Sequence, residues 1–581
     1  MPRIIPVLTF ITIIFSNILY SEQKLEEYTL NFDKANWSFD QTNGVYYQIG
    51  VVYCTNPVDI SYQSFGIYVP KEYLTCTQSN DKYSCDINSS GIKGSYTASN
   101  APIVLPVDTG GYAAMKAPTT YEYNKVSKFM EKGIIYLYAG CRGRYEDSTS
   151  IVSGAPWPIT DLKSAIRYVR YNTKLIPGSK DKIYTFGMSG GGAQSCLMGV
   201  TGNYATFTQY LNSNGAAMKD SDGNEIKDNV KGSQCWCPIT NLDTADAAYE
   251  WNMGQYFTTG TRDEANFTKL LSEDLADEYV KYVNNIKLKD PQGNELTLTS
   301  RNEGSYCNYL KSVIEESLNN FFQDTTLPYT PDERPGPPPH NEELKETYNT
   351  IQDYIKAKNS DYKWLIYDES TKKASIKSVG DFVKHCKNAR KDVGAFDDLN
   401  RGQPENRVFG TNINEKVKHF DLIMTNLLNN NKNKYAEKPD WKDSIPTEYL
   451  NDLVSVDSQN INVTSRVDIY NPMYYLNSYY AGYKQSDVAD YFRINTGLFQ
   501  SDTGNVVEMN LYLALKNYGK NVEFTTVWEK EHVEAERKGD FTDNFISWIQ
   551  EIEGGKDNPS GKSNFIYIGY LVYLLSLIIL F

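Results

Sequence analysis

Histidine is scarce in this chain, at 4 in 581 residues. So few imidazoles argue against a metal centre built on several of them. Grouped basic residues are missing too. Lys and Arg number 58 against 72 Asp and Glu, a formal net charge of −14, and no run of like charges extends beyond a few residues. Phosphate backbones are held by clustered Lys and Arg, so a nucleic-acid partner is not expected. No internal repeat and no long low-complexity tract is present, which sets solenoids and repeat arrays aside. Charged residues make up 22% of the chain against 40% hydrophobic and 13% aromatic, the balance of a globular protein with a large core. At roughly 150 residues per domain, the length holds three or four domains, or one large α/β domain with an insertion.

Both ends read as addresses. Residues 1–21 carry a single Arg3, an apolar run from Ile4 to Leu19, and small Ser21 before Glu22. That is the pattern of a cleaved secretory signal peptide. Phe565 to Phe581 is apolar and has no basic tail behind it; Gly554-Gly555 and a polar spacer, Lys556 to Asn564, stand before it. This layout fits a lipid-anchor attachment signal or a single membrane span. The expectation is an exported, extracellular protein held at the cell surface, contacting the membrane only through that tail.

Nine cysteines, an odd number, agree with export and leave at least one thiol unpaired within the chain. Cys235-Trp236-Cys237 matches neither a zinc knuckle nor a redox C-x-x-C motif and is expected in a buried strand. Given a signal peptide, Asn36, Asn88, Asn266 and Asn462 are acceptors for N-glycans.

Residues 28–100 alternate Tyr, Val and Ile with polar residues and predict antiparallel strands opening a sheet. Beyond them, apolar strands alternate with helices. Strands are expected at Ala101–Val107, Gly133–Ala139, Lys182–Phe186, Lys231–Ile239, Tyr491–Thr496 and Val522–Trp528, and helices at Asp161–Asn172 and Val507–Tyr518. Such alternation indicates a largely parallel sheet covered on both faces. Between Asp246 and Val467 the pattern gives way to charge and helical periodicity, with a Pro-rich loop at Leu327–His340 that can be neither helix nor central strand. The expected organisation is a leader (1–21), a first part of the α/β core (22–247), a mostly helical lid insertion (248–466), a second part of the core (467–553) and the anchor segment (554–581).

The chemistry centres on Ser189. Ile183 to Phe186 is an apolar strand, Gly187-Met188-Ser189-Gly190-Gly191 follows, and Gly192-Ala193 opens a helix. A G-x-S-x-G pattern at a strand-to-helix junction is a nucleophile elbow. Glycines belong there because the serine backbone is strained and its neighbours are crowded. The helix N-terminus aims amides and partial positive charge at the reacting oxygen.

A serine alcohol needs a base, and the candidates are His340, His385, His419 and His532. His532 follows the last strand, where the order serine, acid, histidine places the base. Asp502, after the Tyr491–Thr496 strand, is the expected acid, with Asp243 and Asp246 as alternatives. Gly190 and Gly111 are expected to lend backbone amides to an oxyanion hole.

These residues carry a resemblance. The stretch from about residue 100 to 540 resembles the bacterial-type (subtype B) tannases and related feruloyl-esterase-like α/β-hydrolases. The likeness rests on Val107-Asp108-Thr109-Gly110-Gly111-Tyr112, Ala139-Gly140-Cys141-Arg142-Gly143, Ser189-Gly190-Gly191-Gly192-Ala193-Gln194-Ser195 and Cys237-Pro238-Ile239-Thr240-Asn241-Leu242-Asp243. Gly394-Ala395-Phe396-Asp397 and Glu405-Asn406-Arg407-Val408-Phe409-Gly410 complete it.

The resemblance implies an α/β-hydrolase fold and hydrolysis of carboxylic esters of phenolic acids, on a small molecule or a plant polymer. Neither cofactor nor metal is expected. Lys391 and Glu405 fall where the tannases contact galloyl hydroxyls. One departure stands out. The tannases carry D-x-D after the seventh strand, the first Asp in the triad and the second on substrate; here the two places hold Gln500 and Asp502. Asp502 is accordingly expected to serve as the acid, and Gln500 joins Lys391 and Glu405 as a substrate-contact candidate. A serine peptidase on the same scaffold and a hydrolase-like adhesion protein are the alternatives.

Overall fold

The computed structural model describes residues 28–146, 151–331, 346–410 and 416–554. The expected leader, the tail beyond Gly554 and most of the Pro-rich loop, His340 included, lie outside the described residues.

Nine strands form the central sheet: β1 (Ser38–Asp40), β2 (Val45–Val52), β3 (Ser64–Pro70), β4 (Ile103–Val107), β5 (Ile135–Ala139), β6 (Ile183–Met188), β7 (Gly232–Trp236), β8 (Tyr491–Gly497) and β9 (Asn521–Val527). Their spatial order is β1-β2-β3-β5-β4-β6-β7-β8-β9. The first three pair antiparallel, and β3 meets β5 antiparallel. From β5 to β9 every pairing is parallel. The order reverses around β4, so the carboxyl ends of β4, β6, β7, β8 and β9 line one edge, where parallel α/β sheets bind ligands.

Five helices clothe this sheet: α1 (Tyr123–Glu131), α2 (Trp157–Tyr171), α3 (Gly190–Val200), α4 (Asn505–Tyr518) and α5 (Phe541–Ile552). Alternation along β6 sorts two of the layers. Thr185 donates to the Ser195 carbonyl of α3, whereas Phe186 packs on Phe545 of α5 with ring centroids 4.6 Å apart. Neighbouring strand residues point to opposite faces, so α3 lies on one side and α5, with α1 against it, on the other. Phe545 is fully buried, and burial of a side chain of that size contributes roughly 1.5–3 kcal/mol.

Apolar spacing in α2 predicts one buried stripe, but its polar residues are buried as well. Asp161 takes a two-pronged contact from Arg142, at 2.8 and 2.7 Å, and Lys163 and Arg167 share Asp228. Paired in this way, the charges pass into the core without an orphaned ion. β7 is shorter than expected because Cys237 turns out of it at φ +40°; Cys235 and Trp236 are in the strand and all three are buried. Ahead of β4, the hairpin Leu74–Ser79/Lys82–Ile87 pairs Cys76 opposite Cys85, and these two form a disulfide.

No strand of the central sheet occurs between β7 and β8 among the described residues. The connection is mainly helical, with long helices at Phe267–Ile286 and Ser305–Asp324 and one hairpin at Leu365–Asp368/Lys373–Ile376. Its apolar residues join the same continuous core as the sheet, so the lid is not a separately packed body. Among the described residues no helix is long and apolar enough to cross a membrane.

Candidate active site

Ser189 caps the N-terminus of α3 with φ +60° and ψ −124°, a conformation that costs energy in any residue with a Cβ. Close packing holds it there. A Cβ at Gly191 would stand 2.0 Å from the Val107 carbonyl oxygen at the end of β4. A Cβ at Gly190 would stand 2.5 Å from the Tyr112 nitrogen and 3.2 Å from the Gly111 nitrogen. The loop after β4 is thereby pressed against the start of α3, and the Gly111 and Gly190 amides are neighbours. Tyr112 spends its own N–H on the Thr109 carbonyl and its hydroxyl on the Ile239 carbonyl.

His532 reaches the serine from the loop after β9. Its Nε2 lies 2.8 Å from Ser189 Oγ. Loop and strand ends are locked together: the Phe499 amide donates to the Lys530 carbonyl, and Cys237 Sγ donates to the Val533 carbonyl at 3.2 Å. Desolvation lowers the His532 pKa from its ordinary 6.5; Asp502 opposes that shift, and Lys391 and Arg390 reinforce it.

The group behind the imidazole is Gln500, not Asp502. Gln500 Oε1 lies 2.7 Å from His532 Nδ1. Asp502, two residues on, points elsewhere: its side chain is 27% exposed and pairs with Arg390 at 3.4 Å. Both residues lie in the irregular backbone beyond β8, where Gln500 is buried and Asp502 is partly exposed. Gln500 is also not a substrate contact. It is fully buried, and its Nε2 donates to Thr496 Oγ1 at 2.5 Å and Glu508 Oε1 at 2.6 Å. Asp243 and Asp246 are occupied as well. Asp243 accepts from the Tyr480 hydroxyl, and Asp246 accepts from the Phe396 and Asp397 amides. Burial pushes each of these two carboxyls up to about 7.

The other described histidines are committed elsewhere. His385 stacks on Trp364, and His419 is buried against Tyr449 with Nδ1 2.7 Å from Asp397.

The helical insertion brings Pro404–Val408 against the loop Gly110–Tyr112 beside the site. Glu405, in the short helix Pro404–Val408, is buried, and its Oε2 has no hydrogen-bond partner. Burial raises its pKa; Lys391 and Arg144 pull it back. Lys391 holds its ammonium 3.9 Å from the centre of the Phe396 ring, and Arg144 donates to the Gly111 carbonyl at 2.9 Å. Glu405, Lys391, Asp502 and His532 thus share one electrostatic neighbourhood. A cavity of about 180 Å³, lined among others by Phe321, Asp324, Trp528 and Glu531, touches neither Ser189 nor His532. Among the described residues no three His, Cys, Asp or Glu are grouped to hold a metal.

Sequence reasoning gave no role at the site to Glu508, Thr496, Lys387, Arg144 or Cys237. Thr496 and Glu508 lie close to Gln500 in the chain, but no residue type or spacing marks them as its partners; Lys387 reaches it from a distant segment. Only Gln500 carried a signal, through its place in the D-x-D position.

The BD-FAE family model matches residues 93–285. No curated protein sequence matches the chain. Among solved structures, tannin acyl hydrolase from Lactobacillus plantarum aligns at 24% identity and a TM-score of 0.65, over 90% of this chain and 98% of that one. A tannin acyl hydrolase bound to 3,4-dihydroxybenzoate aligns at 24% and 0.66 over the same shares. Fusobacterium nucleatum tannase aligns at 27% and 0.65, over 90% of this chain and all of that one (100%).

Proposed function

We propose that this chain, a tannase- and feruloyl-esterase-like α/β-hydrolase, is a serine carboxylic ester hydrolase working through an acyl-enzyme. The carrying observation is the 2.8 Å contact between Ser189 Oγ and His532 Nε2 at a strained strand-to-helix elbow. Nε2 takes the hydroxyl proton as Oγ bonds to the ester carbon. The carbonyl oxygen, now an anion, accepts from the Gly190 and Gly111 amides. Collapse breaks the bond to the alcohol, which leaves with the proton from the imidazolium. Water then repeats the cycle on the acyl-enzyme and frees the acid and Ser189.

Phenolic acyl groups suit the surroundings of Glu405. Glu405 offers a buried acceptor without a partner, and Lys391 a nearby cation, which together can hold ring hydroxyls in a partly dry pocket. The test compares labelling by a fluorophosphonate and turnover of p-nitrophenyl, feruloyl and galloyl esters and of peptides, in the native protein and in Ser189→Ala. Labelling and ester turnover that vanish in Ser189→Ala, with folding intact, support the reading. Native protein that neither labels nor turns over any ester overturns it in favour of a binding role; peptide turnover alone makes it a peptidase.

We further propose export and surface attachment, supported by the charged and apolar pattern of residues 1–21, the apolar tail and the Cys76–Cys85 disulfide. Asn36, exposed beside β1, is the best-placed glycan acceptor. Asn88 and Asn266 use their side-chain nitrogens on the carbonyls of Glu72 and Gly260, and Asn462 caps a helix.

A further inference from the structure

A neutral amide where a triad carries a carboxylate raises a difficulty that charge alone does not describe. A carboxylate offers acceptors at both oxygens, so its orientation is immaterial. An amide has two different ends, an accepting Oε1 and a donating Nε2. With Oε1 toward His532, the ring carries its proton on Nδ1 and leaves Nε2 free to take the Ser189 proton. With Nε2 toward His532, the ring must accept at Nδ1 and carry its proton on Nε2, aimed at the serine. That tautomer has no lone pair for the hydroxyl proton. In a well-studied triad, an amide in place of the acid loses about 10⁴ in rate for this reason.

Here the surroundings choose the end. Gln500 Nε2 has two hydrogens and two acceptors, Thr496 Oγ1 at 2.5 Å and Glu508 Oε1 at 2.6 Å. Thr496 donates in turn to Glu508 Oε1 at 3.1 Å, so the carboxylate decides the direction of the whole set. All three residues are fully buried, and no solvent can stand in for a missing partner. A turned amide would set Oε1 against a carboxylate oxygen, acceptor facing acceptor, in a place where unpaired polar atoms cost most. Lys387 anchors the other side by donating to the Gln500 backbone carbonyl at 2.5 Å. The ionisable groups facing Glu508 are Lys387 and, across β8, Cys237.

We propose that Glu508 is a positioning residue: by accepting from the Gln500 amide nitrogen it fixes which end of that amide meets His532, and so fixes the imidazole tautomer able to deprotonate Ser189. This rests on the serine-hydrolase reading and explains how that reading survives the loss of the acid. Burial raises the Glu508 pKa to about 7. Protonation does not undo the arrangement, because the proton has the unpartnered Oε2 to occupy while Oε1 goes on accepting.

The experiment uses the purified protein labelled with ¹⁵N-histidine. Four histidines keep the spectrum legible, and His532→Ala identifies the signal. The tautomer is read directly, and kcat and KM are read on a p-nitrophenyl ester. In the native protein His532 should carry its neutral-state proton on Nδ1. E508M should move protonation toward Nε2 and lower kcat by about 10- to 10³-fold, with KM changed by less than about 2-fold. Adding Q500E to an E508Q background exchanges amide and carboxylate without changing shape or charge, and removes the need for orientation; its kcat should return to within about 3-fold of native. Should E508M not fold, E508A takes its place, with the same expected loss, because it too removes the acceptor facing Gln500 Nε2. A folded E508M, or E508A in its place, with native kcat and native tautomer overturns the proposal, as does a folded exchange variant no better than E508M. Native His532 protonated on Nε2 overturns it outright. Native protein with the Nδ1 proton but no fluorophosphonate labelling removes the esterase reading while leaving the Glu508 assignment standing.

Discussion

Replacing Gln500 by Met separates the two candidates for the group behind His532. The substitution keeps the length of the side chain and removes the contacts to His532 at 2.7 Å, Thr496 at 2.5 Å and Glu508 at 2.6 Å. In the transition state the first of these becomes a bond from an imidazolium, and bonds to charged groups are worth about 1.5–3 kcal/mol. At 1.36 kcal/mol per tenfold, kcat should fall roughly 10- to 200-fold. Glu508 is left short of a donor in a fully buried place, so stability should fall too, by about 1–3 kcal/mol. Asp502→Asn should behave differently. Asp502 does not touch the imidazole, and its partly exposed pair with Arg390 at 3.4 Å belongs to a class worth about 0–1 kcal/mol. Its kcat should stay within about 5-fold of native, with any larger effect in KM for hydroxylated substrates. Steady-state kinetics on a p-nitrophenyl and a galloyl ester, with thermal unfolding as the control for folding, decide the matter. An Asp502→Asn protein that loses 10³-fold or so in kcat beside a nearly native Q500M would refute the reasoning.

The His532 pKa should govern the acid limb of kcat/KM, since only the neutral ring can accept the serine proton. Being lowered from 6.5, it puts that limb below 6.5. Asp502→Asn removes an anion that favours the charged ring and should move the limb to lower pH; Lys391→Met removes an opposing cation and should move it higher. A shift in the same direction for both would contradict the assignment. If Glu405 Oε2 holds substrate hydroxyls as proposed, Glu405→Gln, of equal shape, should raise KM for polyhydroxylated phenolic esters by about 10-fold while leaving kcat on p-nitrophenyl acetate within about 2-fold. For the tail, phosphatidylinositol-specific phospholipase should release the protein from cells; retention, with the Phe565–Phe581 peptide still found by mass spectrometry, would establish a membrane span instead.

Much of this protein is written locally. Apolar strands bounded by glycine and alternating with helices predict the parallel half of the sheet, because burial on both faces demands continuous apolar runs. The elbow at Ser189 is legible for a similar reason: the glycines that permit it must adjoin the serine in the chain. His532 could be found by scarcity and by its place after the last strand. The lid appears as a break in periodicity, although its sharing of one core with the sheet does not. What sits behind His532 could not be read this way. Gln500 and Asp502 are two residues apart, and a carboxylate outranks an amide on chemistry, so residue type favours the wrong one. Only the turn at the end of β8 decides which side chain faces inward. Glu508 and Lys387 come to Gln500 from α4 and from the lid, and meet it only in the folded chain. A hydrogen-bond direction depends on every partner in its network at once, and only the folded backbone brings Thr496, Glu508 and His532 around one amide.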